Sequence, residues 1–422
     1  MTQFQTYFEQ APVGTFNFDE TKDQLSFDYD PQWKQKGFPL SPHIPFDTPV
    51  TSETLKLFLE NLLPEGTALR TLAQTIRVAP SNTLALVLAI GRETSGAFSF
   101  GFAPPTAEPK FIPVNEQELI ERIAERRKKP IAIWNGKPRL SLAGYQQKLP
   151  LLVKQNEFGF GEGPLCSTHI LKFSQDHNDH LVANESFCMQ LAKDCGLQVP
   201  MTEIIDLGEP VLLVERFDRE WIDANHIRRK HMIDACQALN ISPSHKYERF
   251  LGDQEEVKDV LGPANLKNIY TQSEQTKTPA KTKMETLQWV LFNLLIGNSD
   301  AHAKNISYFL DSTGMELTPF YDLVSVVAHS DDVDHSLAFK IGETFELDKV
   351  DDIQLSMMAE EIDVSKSFLS RQIQAITQKM TVALDLPTLP AFMDQGDIDF
   401  IKDLKDQIEV RIDNFHSYAK KL

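Results

Sequence analysis

The sequence predicts an α+β protein with more than one packed unit, and three observations carry that reading. Strand-like runs separated by Gly, Asn and Asp turns fill residues 138–219, in RLSLAG, KLPLLVKQ, HILKF, TEIIDL and PVLLVERF. Beyond residue 230 the apolar spacing is mainly helical. The chain has 422 residues, about three times a typical domain length of about 150.

Taken in order, residues 13–18, VGTFNF, alternate as a half-buried strand does, and SETLKLFLENLLPEG at 52–66 carries helical spacing ended by Pro-Glu-Gly. This is the pattern of a small α+β unit. Pro104, Pro105, Pro109 and Pro113 then suit an extended connector, which places a boundary near 104–114. A charged helix follows, and its Arg126–Lys129 cluster reads as a solvated C-terminal end. NESFCMQLAKDCG is helical and stops at Gly196, with Asn184 as cap and Glu185 in the first turn. Residues 271–283, TQSEQTKTPAKTK, read as a mobile surface loop. ETLQWVLFNLLIG is apolar on every face, with Leu287, Val290, Leu291, Leu294 and Leu295 on one side and Trp289, Phe292 and Ile296 on the others. Such a helix must be buried.

Composition narrows the function classes. Hydrophobic residues make up 41% and charged residues 24%, so a sizeable core can form. The formal charge of -18, from 42 Lys plus Arg against 60 Asp plus Glu, excludes bulk coating of nucleic acid and leaves only a local basic patch open. Cys166, Cys188, Cys195 and Cys236 form no C-x-x-C pair and have no histidines at zinc spacing, which points to reduced, buried thiols. The N-terminus lacks the pattern of a secretion signal, and no run approaches about 18 apolar residues. A cytoplasmic protein with no membrane contact is expected.

The chemistry concentrates after the apolar helix, in GNSDAHAKN, ISYFL, the turn DSTG and MELTPFYD. Asp300 and Asn305 stand five apart on a loop, and Asp322 follows an expected β-hairpin. A D-x4-N loop can set one carboxylate at an attacking hydroxyl and one amide oxygen on Mg²⁺, while the hairpin returns a second carboxylate to the metal. The same residues also serve as ordinary turn caps. SLAGYQQK at 141–148 offers backbone N–H groups of a tight loop around Gly144, and Lys148, for phosphate. Lys172 lies in the apolar strand HILKF, where an ammonium needs a compensating anion or a route to solvent. Glu185 can pair with it or complement its own helix.

RLSLAGYQQK, THILKF, NESFCMQLAKDCGLQVP, LLVERFDR, CQALNISPSHKYE, GNSDAHAKN and LTPFYD occur in this order. Together they resemble the HipA family of bacterial serine/threonine kinases, as do VGTF, FLENLLPEG and AIGRETSGA nearer the N-terminus. The resemblance implies a protein-kinase-like two-lobed fold, with a mixed α/β N-terminal region and a largely helical C-terminal lobe. It divides the chain into an N-terminal α+β subdomain at 1–108, a kinase N-lobe at 109–220 and a helical C-lobe at 221–422. It implies ATP and Mg²⁺ as cofactors. Asp300 matches the catalytic aspartate, Asn305 and Asp322 the metal ligands, and Lys172 the phosphate-binding lysine. Ser141, Leu142, Ala143, Gly144 and Lys148 match the phosphate loop, and Glu215 and Phe217 the segment that meets adenine. Ser141 matches the serine such kinases phosphorylate on themselves. His302 contacts phosphate or caps its own loop. Lys246 and Tyr247 match the family without a derivable role.

The chain departs from ordinary protein kinases in having no G-x-G-x-x-G in its phosphate loop and no HRD before Asp300. The resemblance further implies the toxin of a toxin–antitoxin pair. Its protein substrate would be an aminoacyl-tRNA synthetase, the glutamyl enzyme first, and its partner a HipB-like helix-turn-helix antitoxin through which alone it meets DNA. Two alternatives stay open: a small-molecule kinase with the same site residues, and an inactive scaffold joining an antitoxin on DNA.

Overall fold

Strand alternation builds the first sheet of this computed structural model. Its antiparallel order is Gln24–Tyr29, Ala11–Asp19, Thr2–Phe8 and Phe98–Gly101, and Phe4, Phe16, Phe98 and Phe100 are buried. Phe4 and Phe16 stack at 4.9 Å between ring centres. Helices Ser52–Glu60, Gly66–Ile76 and Thr83–Ile90 follow the hairpin strands. Residues 2–139, 147–175, 180–329 and 335–422 are described, so Ser141, Leu142, Ala143 and Gly144 lie outside the described residues.

The chain folds into two units. The first contains Met1–Phe173, Ile205–Pro243 and Ser307–Thr318, and the second Ser174–Ile204, Ser244–Ile306 and Pro319–Leu422. In the first unit a six-stranded sheet runs Thr202–Asp206, Pro210–Glu215, His169–Phe173, Lys148–Lys154, Glu157–Glu162, Lys110–Pro113. Leu149, Leu151, Leu171 and Phe173 point to one buried face, packed with Trp134, Phe160 and Leu119. Period-two alternation therefore sends Lys148 and Lys172 to the opposite face. A smaller sheet pairs Met232–Asp234 with the hairpin Ser307–Asp311 and Gly314–Leu317, the hairpin expected from the DSTG turn.

In the second unit the helix Pro279–Ile296 is largely exposed over its first turns and buried from Thr286 to Ile296, where only Gln288 is half-buried, as the apolar run requires. Lys366–Ala383 and Gln395–Ala419 pack on it, and the Arg411 Nε donates to the carbonyl of Leu294 at 2.9 Å. All four cysteines are buried and none is in a disulfide. Among the described residues no helix is long and apolar enough to cross a membrane.

Several expectations are corrected. The proline-rich connector ends sooner, because Lys110–Pro113 is an edge strand, where proline is tolerated for want of a neighbour to accept from it. Residues 271–283 are not a loop. Helix Leu266–Gln272, a 3₁₀ turn and the start of Pro279–Ile296 occupy them, with Ser273, Thr276 and Thr282 buried. Pro279 fits the first helical position, where its missing N–H costs nothing. Arg126 is not solvated. It pairs with Glu209 at 2.7 Å and lies over the Phe173 ring. The helix expected from Asn184 begins at Leu181, so Asn184 is not its cap and Glu185 is buried in its second turn. Strands Ser336–Ile341 and Thr344–Glu346 were not legible in the region read as helical.

LLVERFDR continues the alternation past its strand. Glu215 is exposed and Phe217 half-buried, while Arg216 and Asp218 turn inward. Arg216 grips both Asp218 carboxylate oxygens at 3.0 and 2.8 Å and reaches Ser167 Oγ at 3.0 Å, and Arg219 adds a 2.7 Å contact to Asp218. Burial alone would raise the Asp218 pKa, but the two guanidinium charges outweigh it and hold the carboxyl far below its usual range. Arg229 nearby donates to the carbonyls of Gly96, Arg92, Thr94 and Phe98. Burial and then the Arg219 charge push its pKa down to about 10.

Asp218→Asn leaves two buried guanidinium groups without their carboxylate. It should cost about 3–5 kcal/mol by urea denaturation at pH 7. Because the folded pKa is depressed, the difference from wild type should persist down to about pH 4 and shrink only below it.

Candidate active site

The helix Pro279–Ile296 ends at Gly297, whose φ of +69° closes the last turn. A Cβ there would stand 2.2 Å from Val327 Cγ1, so glycine is required on two counts. A buried relay then carries the helix end to the next turn. Asn293 Nδ2 donates to the Trp289 carbonyl at 2.8 Å, Asn298 Nδ2 to Asn293 Oδ1 at 2.7 Å, and the Asp300 N–H to Asn298 Oδ1 at 3.0 Å. Asp300 emerges exposed from a buried, hydrogen-bonded base.

The Asp300 carbonyl accepts from the His302 N–H and from Asn305 Nδ2, both at 2.8 Å. The five-residue spacing thus closes a turn in which the Asn305 amide nitrogen is engaged by the Asp300 carbonyl. His302 does not cap this turn through its side chain. It is buried, and its Nδ1 has no hydrogen-bond partner among the described residues. Burial, then the positive charge of Lys246, holds its pKa well below the usual histidine value, against the opposing charge of Asp322. A neutral imidazole offers phosphate a hydrogen bond and no charge.

Asp322 is held beside the same turn. Tyr321 Oη donates to the Lys304 carbonyl at 2.8 Å, and the Val326 N–H donates to the Gly297 carbonyl at 2.9 Å. Asn184 completes the clamp, donating to the Ser325 carbonyl at 2.8 Å and accepting from its N–H at 2.9 Å. Asp322 has φ of +55°, a conformation that costs a residue bearing a Cβ about 1–2 kcal/mol. Strain of this kind persists where the surroundings over-determine it.

Asn305 and Asp322 supply hard oxygen donors from two loops tied together, which suits Mg²⁺. That ion takes one or two protein oxygens and completes its octahedron with water and phosphate. Among the described residues no three His, Cys, Asp or Glu side chains cluster as a metal cage.

The remaining expected residues lie in the first unit. Lys148 and Lys172 stand directly opposite one another on antiparallel strands, and both are buried, at 9% and 5% exposure. Like charges at such a pair repel unless anionic charge stabilises them. Glu215 ends the next strand and Phe217 lies two residues past it, meeting Phe309 edge-on at 5.9 Å. The structure thus brings Asp300, His302, Asn305 and Asp322 together in one unit, and Lys148 with Lys172 in the other.

Two contributors were missed by spacing arguments. Asn298 sits in the motif itself, but its buried relay depends on Asn293, one turn back in an apolar helix. Tyr247 donates to Asp300 Oδ1 at 2.5 Å, from a segment 53 positions away with no periodicity to mark it.

The chain is similar to known proteins along most of its length. A family model described as the HipA-like C-terminal domain matches residues 140–384, and one described as the HipA N-terminal domain matches 4–101. The chain is 39% identical over 417 residues to the serine/threonine-protein kinase toxin HipA of Shewanella oneidensis, covering 96% of this chain and 94% of that protein. It is 30% identical over 384 residues to a putative kinase, Y4mE, of Sinorhizobium fredii, covering 88% of each. Among solved structures it resembles a chain of the Shewanella oneidensis complex of HipA, HipB and operator DNA. The TM-score is 0.88 at 37% identity, over 99% of this chain and 98% of that one.

Asn298→Ala removes the centre of the relay and leaves the Asp300 N–H and Asn293 Oδ1 without it. The loss should be about 1–3 kcal/mol by chemical denaturation, with phosphotransfer slowed beyond what the unfolded fraction explains.

Proposed function

The chain belongs to the HipA family of serine/threonine-protein kinase toxins, and from that premise we propose that it moves the γ-phosphoryl group of ATP to a serine hydroxyl through Asp300. The observation that supports this most directly is the exposed Asp300 carboxylate on a turn closed by Asn305, with the strained Asp322 clamped alongside.

The acceptor oxygen bonds to Pγ as its proton passes to the Asp300 carboxylate, and the Pβ–O–Pγ bridge breaks with its electron pair leaving on ADP. An ordinary carboxylate pKa near about 4 suffices, because positioning and charge neutralisation carry most of the barrier reduction in a loose transition state. Mg²⁺, when bound, supplies charge neutralisation on the phosphates. Asn305 and Asp322 would hold it. Lys148 and Lys172 would take the triphosphate charge, which their opposition across two strands favours. Glu215 and Phe217 would meet adenine, the exposed carboxylate end of the strand lying open to a ligand.

The proposal extends to regulation and partners. Ser141 would be the autophosphorylated serine. The added charge of about -1.5 to -2 would repel nucleotide phosphates and shut the enzyme down. The protein acceptor would be an aminoacyl-tRNA synthetase, with the glutamyl enzyme favoured. A HipB-like antitoxin would bind the chain and mediate its contact with DNA; the similarity to a chain of the Shewanella oneidensis complex of HipA, HipB and operator DNA supports the antitoxin partnership. Residues 1–108, 109–220 and 221–422 would serve as accessory subdomain, nucleotide lobe and catalytic lobe.

Asp300→Asn should lower transfer from labelled ATP by about 100- to 10,000-fold while ATP affinity stays within a few-fold. Transfer at the wild-type rate would defeat the assignment. Phosphoproteomes of cells expressing the wild type and Asp300→Asn should differ at one synthetase serine. Ser141→Ala should abolish self-labelling and leave transfer to the acceptor intact.

A further inference from the structure

We infer that Tyr247 is a positioning residue for the phosphoryl-transfer step, holding the Asp300 carboxylate in the orientation that accepts the substrate proton. The inference rests on the kinase reading above and assigns a role to a residue that reading leaves unused.

The segment carrying Tyr247 has no regular structure, yet its backbone is fastened to the site on two sides. The Lys246 carbonyl accepts from the Ala303 N–H at 3.1 Å, inside the turn between His302 and Lys304. The Glu248 N–H donates to the Ala338 carbonyl at 2.9 Å, and the Ala338 N–H donates to the Ser299 carbonyl at 3.0 Å, the residue before Asp300. Glu248 is anchored further, its carboxylate accepting from the Lys340 N–H at 2.9 Å. Residues 246–248 are thus pinned to both ends of the turn that presents Asp300.

The ring is fixed as firmly as the backbone. It meets the buried His302 imidazole edge-on, at 5.1 Å between ring centres and 79° between planes. The Lys246 ammonium lies 5.2 Å from the centre of the Tyr247 ring. From that position the Tyr247 hydroxyl donates to Asp300 Oδ1 at 2.5 Å. The relay through Asn298 and Asn305 fixes the Asp300 backbone, whereas the carboxylate itself is exposed and turns about two side-chain bonds. A donor on Oδ1 selects one rotamer and directs Oδ2 outward to the acceptor hydroxyl. A misplacement of about 1 Å at a reacting group can cost about 100-fold in rate, so this restraint belongs to the chemical step rather than to nucleotide binding.

The test uses the purified full chain with Tyr247→Phe, which loses only the hydroxyl, beside Tyr247→Leu, which also loses the ring. Tyr247→Phe should lower kcat about 10- to 100-fold, with KM and affinity for ATP within about twofold and an unchanged melting temperature. Wild-type kcat in Tyr247→Phe overturns the inference whatever Tyr247→Leu does. So does a loss matched by a lowered melting temperature, which would make the role merely structural. A second measurement does not depend on turnover: the ¹³C resonance of the Asp300 carboxyl, assigned by its disappearance in Asp300→Asn, should shift in Tyr247→Phe. An unmoved resonance overturns the inference. A wild-type chain that turns over no ATP, or an Asp300→Asn variant that keeps turning it over, would instead remove the kinase reading, and the resonance would still decide whether Tyr247 holds the carboxylate.

Discussion

A helical stretch that is apolar on every face survives in water only when every face is covered, and the C-terminal part of Pro279–Ile296, from Thr286 on, imposes that demand on the second unit. Helices Lys366–Ala383 and Gln395–Ala419 meet it. Once the helix is immobile, its C-terminal end is a fixed point. Gly297 turns the chain, Asn293 and Asn298 carry hydrogen bonds out of the core, and Asp300 reaches solvent four residues past the last helical residue, Ile296. A buried helix ending in a polar relay thus gives the Asp300 carboxylate exposure and a rigid base together.

The first unit meets a different demand with the same economy. A strand that alternates strictly can bury leucine and phenylalanine on one face and present lysine on the other, and His169–Phe173 does so beside Lys148–Lys154. The register that sets Leu171 against Leu149 also sets Lys172 against Lys148. A slip of one residue would exchange the charged and apolar faces, so the hydrophobic core itself enforces the opposition of the two ammonium groups.

Local periodicity made much of this legible. The apolar helix, the alternating strands and the DSTG hairpin were readable because each side-chain pattern repeats with the geometry of its own element. The turn from Asp300 to Asn305 and the hairpin that precedes Asp322 were readable because both are local objects. What escaped was decided by neighbours distant in the chain. Arg126 looks like part of a solvated cluster until Glu209, 83 positions on, is brought against it. Residues 271–283 are polar enough for a loop, but tertiary packing recruits Ser273, Thr276 and Thr282 into a buried hydrogen-bonded helix start. The inward-facing Arg216 and Asp218 were hidden in a run read as strand plus ligand contact, although their alternation with Glu215 and Phe217 was present in the sequence. Tyr247 carries no periodic signal, since its place depends on main-chain bonds to residues 299, 303 and 338 taken together.

The positive φ of Asp322 makes substitution there ambiguous in a way that Asp300 escapes. Alanine would change the backbone preference and the oxygen donor at once, so a dead variant would reveal nothing about which mattered. Asparagine tolerates the left-handed region that Asp322 occupies at least as readily as aspartate does and keeps an oxygen at the same reach. It alone among small replacements separates negative charge from loop geometry, which makes this residue a place where electrostatics and folding can be weighed one at a time.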